Sequence, residues 1–468
     1  MKKVVSDQEL FGSERISKVL SSAASDVYKR QSKVLWKITP PVMLAQLIQA
    51  LYNIVDSFFV GRYSDDALTA VTVIFPIQLI IVALAVGTGV GVNTYMARKY
   101  AQGDSLKAKA AAGTGTLLAV ISWAVFALVS SLVMVPYIKT SATEPQAIEN
   151  ARVYGLIVCI GSLGTFLESN WTKVHQARGN MKLPMIAQVT GAVINCVLDP
   201  LLIFGIGPFP EMGIAGAAYA TVIGQIVSAV IVGIKGFEKP PKIREIGHYI
   251  KKIYYYGYSS IIMQALYTVY IVALNMILAR FSDAAVTVLG LYYKAQSFFF
   301  IPLFGLQTCI VPLLSFNYAR ENYERCHDTM KATFVVSLSV MSIGMACFIF
   351  MPETLMRVFS NSETVIAIGR NAFPIIGSSF LCAVFSLTMP VFFQAIGRGV
   401  TSMMLSLTRQ IFCLVPVFRL LSRIGLDYTW IAFPVAETVS GAIGFALYIK
   451  QLKKWGCPVG IRKNKKKA

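Results

Sequence analysis

Residues Gly61–Val71 read GRYSDDALTAV and Ala279–Leu289 read ARFSDAAVTVL, with Arg62 and Arg280 standing 218 positions apart. The register holds outward from that pair. Gly87 meets Gly305, Tyr100-Ala101 meets Tyr318-Ala319, and Gln176-Ala177-Arg178-Gly179 meets Gln394-Ala395-Ile396-Gly397. Only the first span of each half is out of step, QALY at Gln49 matching QALY at Gln264. What is repeated is a series of apolar windows, each of about 20 residues, enough to cross roughly 30 Å of hydrocarbon. Twelve recur, near 36–60, 68–95, 112–137, 152–172, 184–205, 214–234, 255–279, 285–315, 332–351, 368–394, 401–421 and 428–449. They are continuous rather than alternating, so they read as helices and not as barrel strands.

The expected fold is therefore an all-α membrane protein with twelve transmembrane helices in two six-helix bundles. Because six is even, both halves insert in the same orientation, which relates them by a pseudo-two-fold axis along the membrane normal and leaves a cleft between them. The chain divides into a cytoplasmic tail (1–35), a first bundle (36–235), a cytoplasmic linker (236–254), a second bundle (255–452) and a basic cytoplasmic tail (453–468). A duplicated architecture of this kind suits alternating access; a channel needs a filter, and no TVGYG-like signature is present.

Composition agrees. Of 468 residues 55% are hydrophobic and only 14% charged, with a mean hydropathy of +0.61, which does not describe a water-soluble surface. The formal net charge of +20 comes from Lys and Arg lying between apolar runs and at the two ends. One set of alternate loops and tails, counting Arg398 with Arg409, holds 34 of them, the other set 8, and Lys294 falls within a span. That bias puts both termini in the cytoplasm and removes any need for a nucleic-acid partner. The Lys-rich end serves to fix topology. Eight cysteines are scattered without CxxC pairing and read as free thiols.

The amino-terminal 33 residues lack the apolar core of a signal peptide. Within them SKVL occurs at Ser17–Leu20 and again at Ser32–Leu35, bracketing SSAASDVYKRQ; the DVYKRQ portion resembles the translation of a transposon adapter. Residues 21–35 are read as an artefactual insertion, and no function is assigned to them.

Ionisable groups inside spans are costly and mark function by default. Asp56, in LYNIVDSFF, has an apolar counterpart, Leu274, so symmetry does not account for it; a hydrogen bond to neighbouring backbone or Ser57 is the plainer explanation. Asp199 follows Asn195 by four residues on one helix face, aiming an amide and a carboxylate at one spot that suits a proton relay or Na+; an Asp-Pro turn at Pro200 is the alternative. Glu168, Lys173 and His175 cluster late in span four, where snorkelling with local pairing suffices. Lys294 reads either as a cationic repulsion site or as a buried carboxylate partner, and Glu437 as a hydrogen-bonded neighbour in preference to a second coupling acid. Pro40-Pro41 permit a bend near Asp56. With 3 His and no HExxH, Walker or GxSxG motif, metalloprotease, ATP-driven and serine-hydrolase chemistry lack support, no enzyme activity is expected, and energy must come from an ion gradient.

Across residues 36–452 the chain resembles the multidrug and toxic compound extrusion (MATE) family, in its bacterial branch of drug and organic-cation antiporters. The resemblance is carried by PPVMLAQLIQALYNIVDSFFVGRYSDDALTAV, QARGNMKLPM, INCVLDPLLIFGIG, GIAGAAYAT and IPLFGLQTCIVPLLSFNYAREN. It implies ion or proton coupling at Asp56, Asn195, Asp199 and Thr221, a gating bend at Pro41, and a polar face made by Gln49 and Tyr52. Two departures stand out. Gln264 occupies the seventh helix where members coupled through the second bundle carry a glutamate, and Asn317-Tyr318-Ala319-Arg320 replaces the usual NYGA.

The resulting expectation is a secondary antiporter in the bacterial cytoplasmic membrane, acting as a monomer in the lipid bilayer. It exports amphipathic, often cationic drugs in exchange for H+ or Na+, with no cofactor. Na+ is the only metal in question, at Asp56, Asn195 and Asp199. Cargo would rest in the cleft against Gln49, Tyr52, Met263, Gln264, Tyr292, Phe298, Phe299 and Phe393, where aromatic faces and pliable methionine suit varied cations. A lipid-linked oligosaccharide flippase of the same superfamily is the alternative; it predicts a markedly basic cavity, toward which Lys294 alone points.

Overall fold

The repeated motif is a helix cap. In the computed structural model, which describes residues 31–141, 145–358 and 362–457, Ser64 and Ser282 each adopt extended backbone and accept from the amide of the third residue on, Ala67 at 3.0 Å and Ala285 at 3.1 Å. Each serine thereby satisfies one orphan donor of the helix that follows. The tail before residue 31, with most of the 21–35 stretch read as an insertion, and residues 458–468 lie outside the described residues.

The chain separates into two compact units, dividing between Ala265 and Leu266, apart from a few residues at the start of the first helix. The first unit holds α1 (Gln31–Tyr63), α2 (Asp65–Ala101), α3 (Ser105–Ser141), α4 (Pro145–Gly161), α5 (Leu163–Ala177), α6 (Lys182–Ile203) and α7 (Gly213–Gly236). A long helix, α8 (Ile243–Leu278), contributes to both units. The second unit continues with α9 (Asp283–Ala319), α10 (Tyr323–Phe350), α11 (Pro352–Arg357), α12 (Glu363–Gly377), α13 (Phe380–Ala395), α14 (Gly399–Leu407), a π-helical stretch Thr408–Leu414, α15 (Val415–Leu421), α16 (Leu426–Thr429) and α17 (Ala432–Lys454). Among the described residues there is no strand.

Among the described residues ten helical runs are long and apolar enough to cross a membrane, and two bent pairs, each counted as one span, complete the twelve: α4 with α5, at 40°, and α12 with α13, at 57°. Both bends fall in the fourth span of their half, directly after an Ile-Gly pair. Serine hydroxyls take the carbonyls in the preceding turn, Ser162 bonding Cys159 at 2.7 Å and Ser379 bonding Ile376 at 2.6 Å. In hydrocarbon no water is available for that purpose.

Residues 236–254, expected as a linker, are mostly helical because α8 begins at Ile243. Its first turns carry an apolar face, and Tyr249 and Ile253 are buried with Tyr95, Met96 and Val174 of the first unit. The second unit is centred on aromatic packing, with Phe348 stacked on Phe373 at 4.9 Å and Trp430 fully buried. No disulfide joins the eight cysteines, of which four are buried and four half-buried.

The duplication also exposes a strained position. Gly103 takes φ +77 in the turn after α2, whereas the matching residue of the second half, Glu321, takes φ 58, the one non-glycine residue with positive φ among those described. This residue closes the end of α9, its amide bonding the Tyr318 carbonyl at 3.0 Å and the next amide, of Asn322, the Asn317 carbonyl at 2.9 Å, and a side chain in that conformation costs about 1 kcal/mol where glycine costs none. Glu321→Gly should accordingly raise the midpoint of thermal unfolding in detergent, by the equivalent of about 1 kcal/mol less the entropy a glycine adds to the unfolded chain. A lowered midpoint would refute this.

Candidate functional site

Four helices of the first unit each present a polar stripe at helical spacing. On α1 it is Gln49, Tyr52 and Asp56; on α5, Thr165, Glu168 and Thr172; on α6, Gln188, Asn195 and Asp199; on α7, Thr221, Gln225 and Ser228. Positions three, four and seven apart share a face. The stripes converge on a cavity of about 100 Å³ lined by Gln49, Tyr52, Thr165, Glu168, Gln188, Gly191, Ala192, Asn195, Thr221, Gly224, Gln225 and Ser228. No Lys or Arg is among its walls. Glycines bring α6 and α7 together behind it: a Cβ on Gly191 would stand 2.0 Å from the Ser228 hydroxyl and 2.6 Å from the Gly224 carbonyl oxygen.

At the end of this cavity the Asn195 amide donates to Asp199 Oδ1 at 3.3 Å and lies 3.4 Å from the Thr221 hydroxyl. Asp199 is fully buried and Asp56 8% exposed. α6 continues through Pro200 to Ile203, so Asp199 is part of a helix and the Asp-Pro turn is not formed. Tyr52 lies within electrostatic range of Asp56, Asp199 and Glu168, and is joined to Gln49. Tyr154, 1% exposed, lies within electrostatic range of Asp56 and Asp199 and accepts from Gln78 at 3.2 Å.

What distinguishes the site is an excess of acceptors. Asp56 Oδ1, Asp199 Oδ2, Asn195 Oδ1 and Gln225 Oε1 are buried, and none has a hydrogen-bond partner among the described residues. The two carboxylate oxygens have no donor face in their ionised form, whichever way they turn. A buried acceptor left unpaired is costly, and a buried ionised one more so, unless a proton or a cation meets it. Carboxylate and amide oxygens also form the donor set that suits Na+, a hard cation.

The remaining sequence candidates are distributed as follows. Gln49 is exposed and Tyr52 half-buried, both beside the cavity; Pro41 is half-buried inside α1, which continues through Pro40-Pro41. Met263 and Gln264 are half-buried on α8. In the second unit Phe298 and Phe299 are half-buried, while Tyr292 and Phe393 are 4% and 1% exposed and packed in the interior. Tyr292 sits 5.3 Å from Phe433 and 5.0 Å from Tyr293, ring centre to ring centre. Lys294 is exposed on α9, so it is not a buried partner for a carboxylate. Of the expected Glu168, Lys173 and His175 cluster, Glu168 and Lys173 remain within electrostatic range of each other, while their hydrogen bonds point to different places. Glu168 faces the cavity, Lys173 donates to Gln176 at 3.0 Å, and His175 ties α5 to the Val232 carbonyl of α7 at 2.9 Å.

One assignment needs correction. Arg409, counted above with the loop residues, lies inside the eleventh span on the π-helical stretch and pairs with Glu437 of α17 at 2.8 Å. Glu437 also accepts from the Ser386 hydroxyl, and the pair is buried, at 12% and 10% side-chain exposure. The hydropathy window at 401–421 holds two arginines, Arg409 and Arg419, and averaging over the window does not distinguish a span-internal residue from a boundary one.

Sequence and structure comparisons bear on the family and the fold. A family model described as MatE matches residues 41–201 and 259–418, one block in each half. A FAD transporter of Shewanella oneidensis is 24% identical over 421 residues, covering 87% of this chain and 92% of its own. The multidrug export protein MepA of Staphylococcus haemolyticus is 22% identical, covering 87% and 91%. Among solved structures, a MOP-superfamily transporter from Pyrococcus furiosus superposes with a TM-score of 0.85 at 21% identity, over 92% of this chain and 98% of that one.

Proposed function

From the premise that this chain belongs to the MatE family of membrane transporters, we propose that it is a secondary multidrug antiporter, exporting amphipathic organic cations in exchange for H+ or Na+. The carrying observation is the pair of buried carboxylates, Asp56 and Asp199, each with one oxygen, Oδ1 and Oδ2 respectively, that meets no donor among the described residues, beside a polar cavity in the first unit. Such a pair is stable when a proton or cation neutralises it, and loading and unloading that ion is what couples a gradient to transport. Asn195 and Thr221 orient Asp199, and Tyr52 and Gln49 line the approach. Pro41 would supply flexibility in α1. By their names one relative exports drugs and another transports FAD. Walls without Lys or Arg favour cations over the phosphate groups of a lipid-linked oligosaccharide.

The test is reconstitution in liposomes. Uptake of a fluorescent organic cation is followed under an imposed pH gradient without Na+, then under a Na+ gradient at equal pH, with FAD run in parallel as the anionic cargo. Drive by either gradient supports exchange and identifies the ion. Transport of FAD alone would replace the cation by a flavin dinucleotide, and no gradient-driven transport of either compound would sink the antiport reading.

A further inference from the structure

Glu168 takes no part in the exchange just described, yet its carboxylate lines the cavity beside which Asp56 and Asp199 lie. Counting from the end at which α5 closes and α6 opens, Glu168 lies about 13 Å along the bundle and Gln188 about 9 Å, whereas Asn195 lies about 20 Å and Asp199 about 26 Å. The cavity therefore extends lengthwise, with Asp199 beyond one end and Glu168 at the other. Both donors to Glu168, the Thr172 hydroxyl at 2.9 Å and the Gln188 amide at 3.2 Å, reach the same oxygen, Oε1. That fixes the carboxylate through Oε1, with Oε2 outside both bonds, on a side chain that lines the cavity. A polar space of about 100 Å³ accommodates about three waters, each with several hydrogen-bonding neighbours in the walls.

We propose that Glu168 is the acceptor for the proton that leaves Asp56 and Asp199, the cavity water joining the two ends of one proton route. The O–H bond of the Asp199 or Asp56 carboxyl breaks, an O–H bond forms on Glu168 Oε2, and the donor is left as carboxylate; the intervening waters are neither consumed nor formed. Separated carboxyls joined by hydroxyls and amides suit a proton, because a sodium ion needs its oxygen ligands gathered at one point. The groups around Glu168 are Thr172 and Lys173 on its own helix, Tyr52 from α1, Gln188 from α6, and the cavity-lining Gln225 and Ser228 from α7. Lys173 is the charged member of this set.

The inference rests on the proton form of the antiport reading, and two measurements keep their failures apart. The first requires no cargo. In a pH titration of the purified protein followed by infrared difference spectroscopy, a protonated-carboxyl band should be lost in Glu168→Gln, and its midpoint should move in Asp56→Asn because removing the Asp56 charge changes the potential along the cavity that Glu168 lines. A band unaffected by Glu168→Gln, or a midpoint unmoved by Asp56→Asn, overturns the proposal whatever the protein carries. The second uses proteoliposomes. Glu168→Gln should cut pH-driven uptake about tenfold or more while dye-for-dye counterflow, which moves no proton, stays near wild type, and Glu168→Asp should recover part of the loss. Wild-type pH-driven uptake in Glu168→Gln overturns the proposal, as does loss of counterflow with a lowered unfolding midpoint, which would make Glu168 structural. If the wild type itself shows no gradient-driven uptake, the antiport reading fails and the infrared measurement alone decides the role of Glu168.

Discussion

Asp56→Asn should abolish gradient-driven accumulation while leaving the protein folded. The substitution keeps the shape of the side chain and removes its ability to gain and lose a proton or to neutralise a cation. One charge moved across 100 mV is worth roughly 2.3 kcal/mol, enough to concentrate a cation about fifty-fold, so the mutant should fall by about that factor to the level set by passive leak. Stability should not fall with it. Asp56 Oδ1 is buried without a donor, and an amide there carries no charge to desolvate. The comparison is therefore between accumulation ratio in proteoliposomes and unfolding midpoint in detergent. A mutant that accumulates dye like wild type would remove Asp56 from the coupling machinery; one that loses both activity and stability would make it a structural residue. Asp199→Asn should behave similarly but with its fold more exposed to error, because the Asn195 amide already donates to Asp199 and the new side chain must turn its oxygen toward that donor.

The second large effect belongs to the other unit. Arg409 and Glu437 face each other at 2.8 Å, both nearly buried. Removing one partner strands the other's charge away from water, which costs about 3–5 kcal/mol, whereas replacing both with apolar residues of similar volume is often neutral or stabilising. Arg409→Met or Glu437→Leu alone should thus lower the unfolding midpoint severely, and the double mutant should recover most of the loss. Double-mutant recovery with transport intact would mark the pair as a device for holding the π-helical stretch of the eleventh span against α13 and α17. Recovery of stability without recovery of transport would give the pair a working role. Single mutants that unfold like wild type would contradict the burial of the pair.

Much of this architecture was legible before any coordinates, for particular reasons. The GRYSDDAL and ARFSDAAV motifs announced a duplication because a helix cap needs a serine at a set position relative to the helix it starts, and two identical caps preserve it. Asp56, Asn195 and Asp199 stood out because a carboxylate in an apolar run has few bland explanations. Glu168 shows where that logic stops. Its stripe with Thr165 and Thr172 is visible at spacings of three and four, but nothing in one helix states which neighbour its stripe faces, and the acid was read as snorkelling toward a nearby loop. Tyr154 and Gln78 were missed for the same reason, being ordinary residues until packing puts them beside two acids. Arg409 was misassigned because hydropathy averages over a window and a π-helical stretch has no signature in composition.

The two bends in the fourth spans have a mechanical consequence. A straight membrane helix is a single rigid rod, so a tilt imposed at one face of the bilayer is felt at the other. A span hinged at Ser162, or at Ser378-Ser379, behaves as two short levers with a knee between them. The lever that carries Glu168 can then lean without dragging α4, and the serine hydroxyls that hold the neighbouring carbonyls let the knee flex without exposing backbone to lipid. Each bundle is in this respect an articulated part, able to reshape one leaflet while the other stays still.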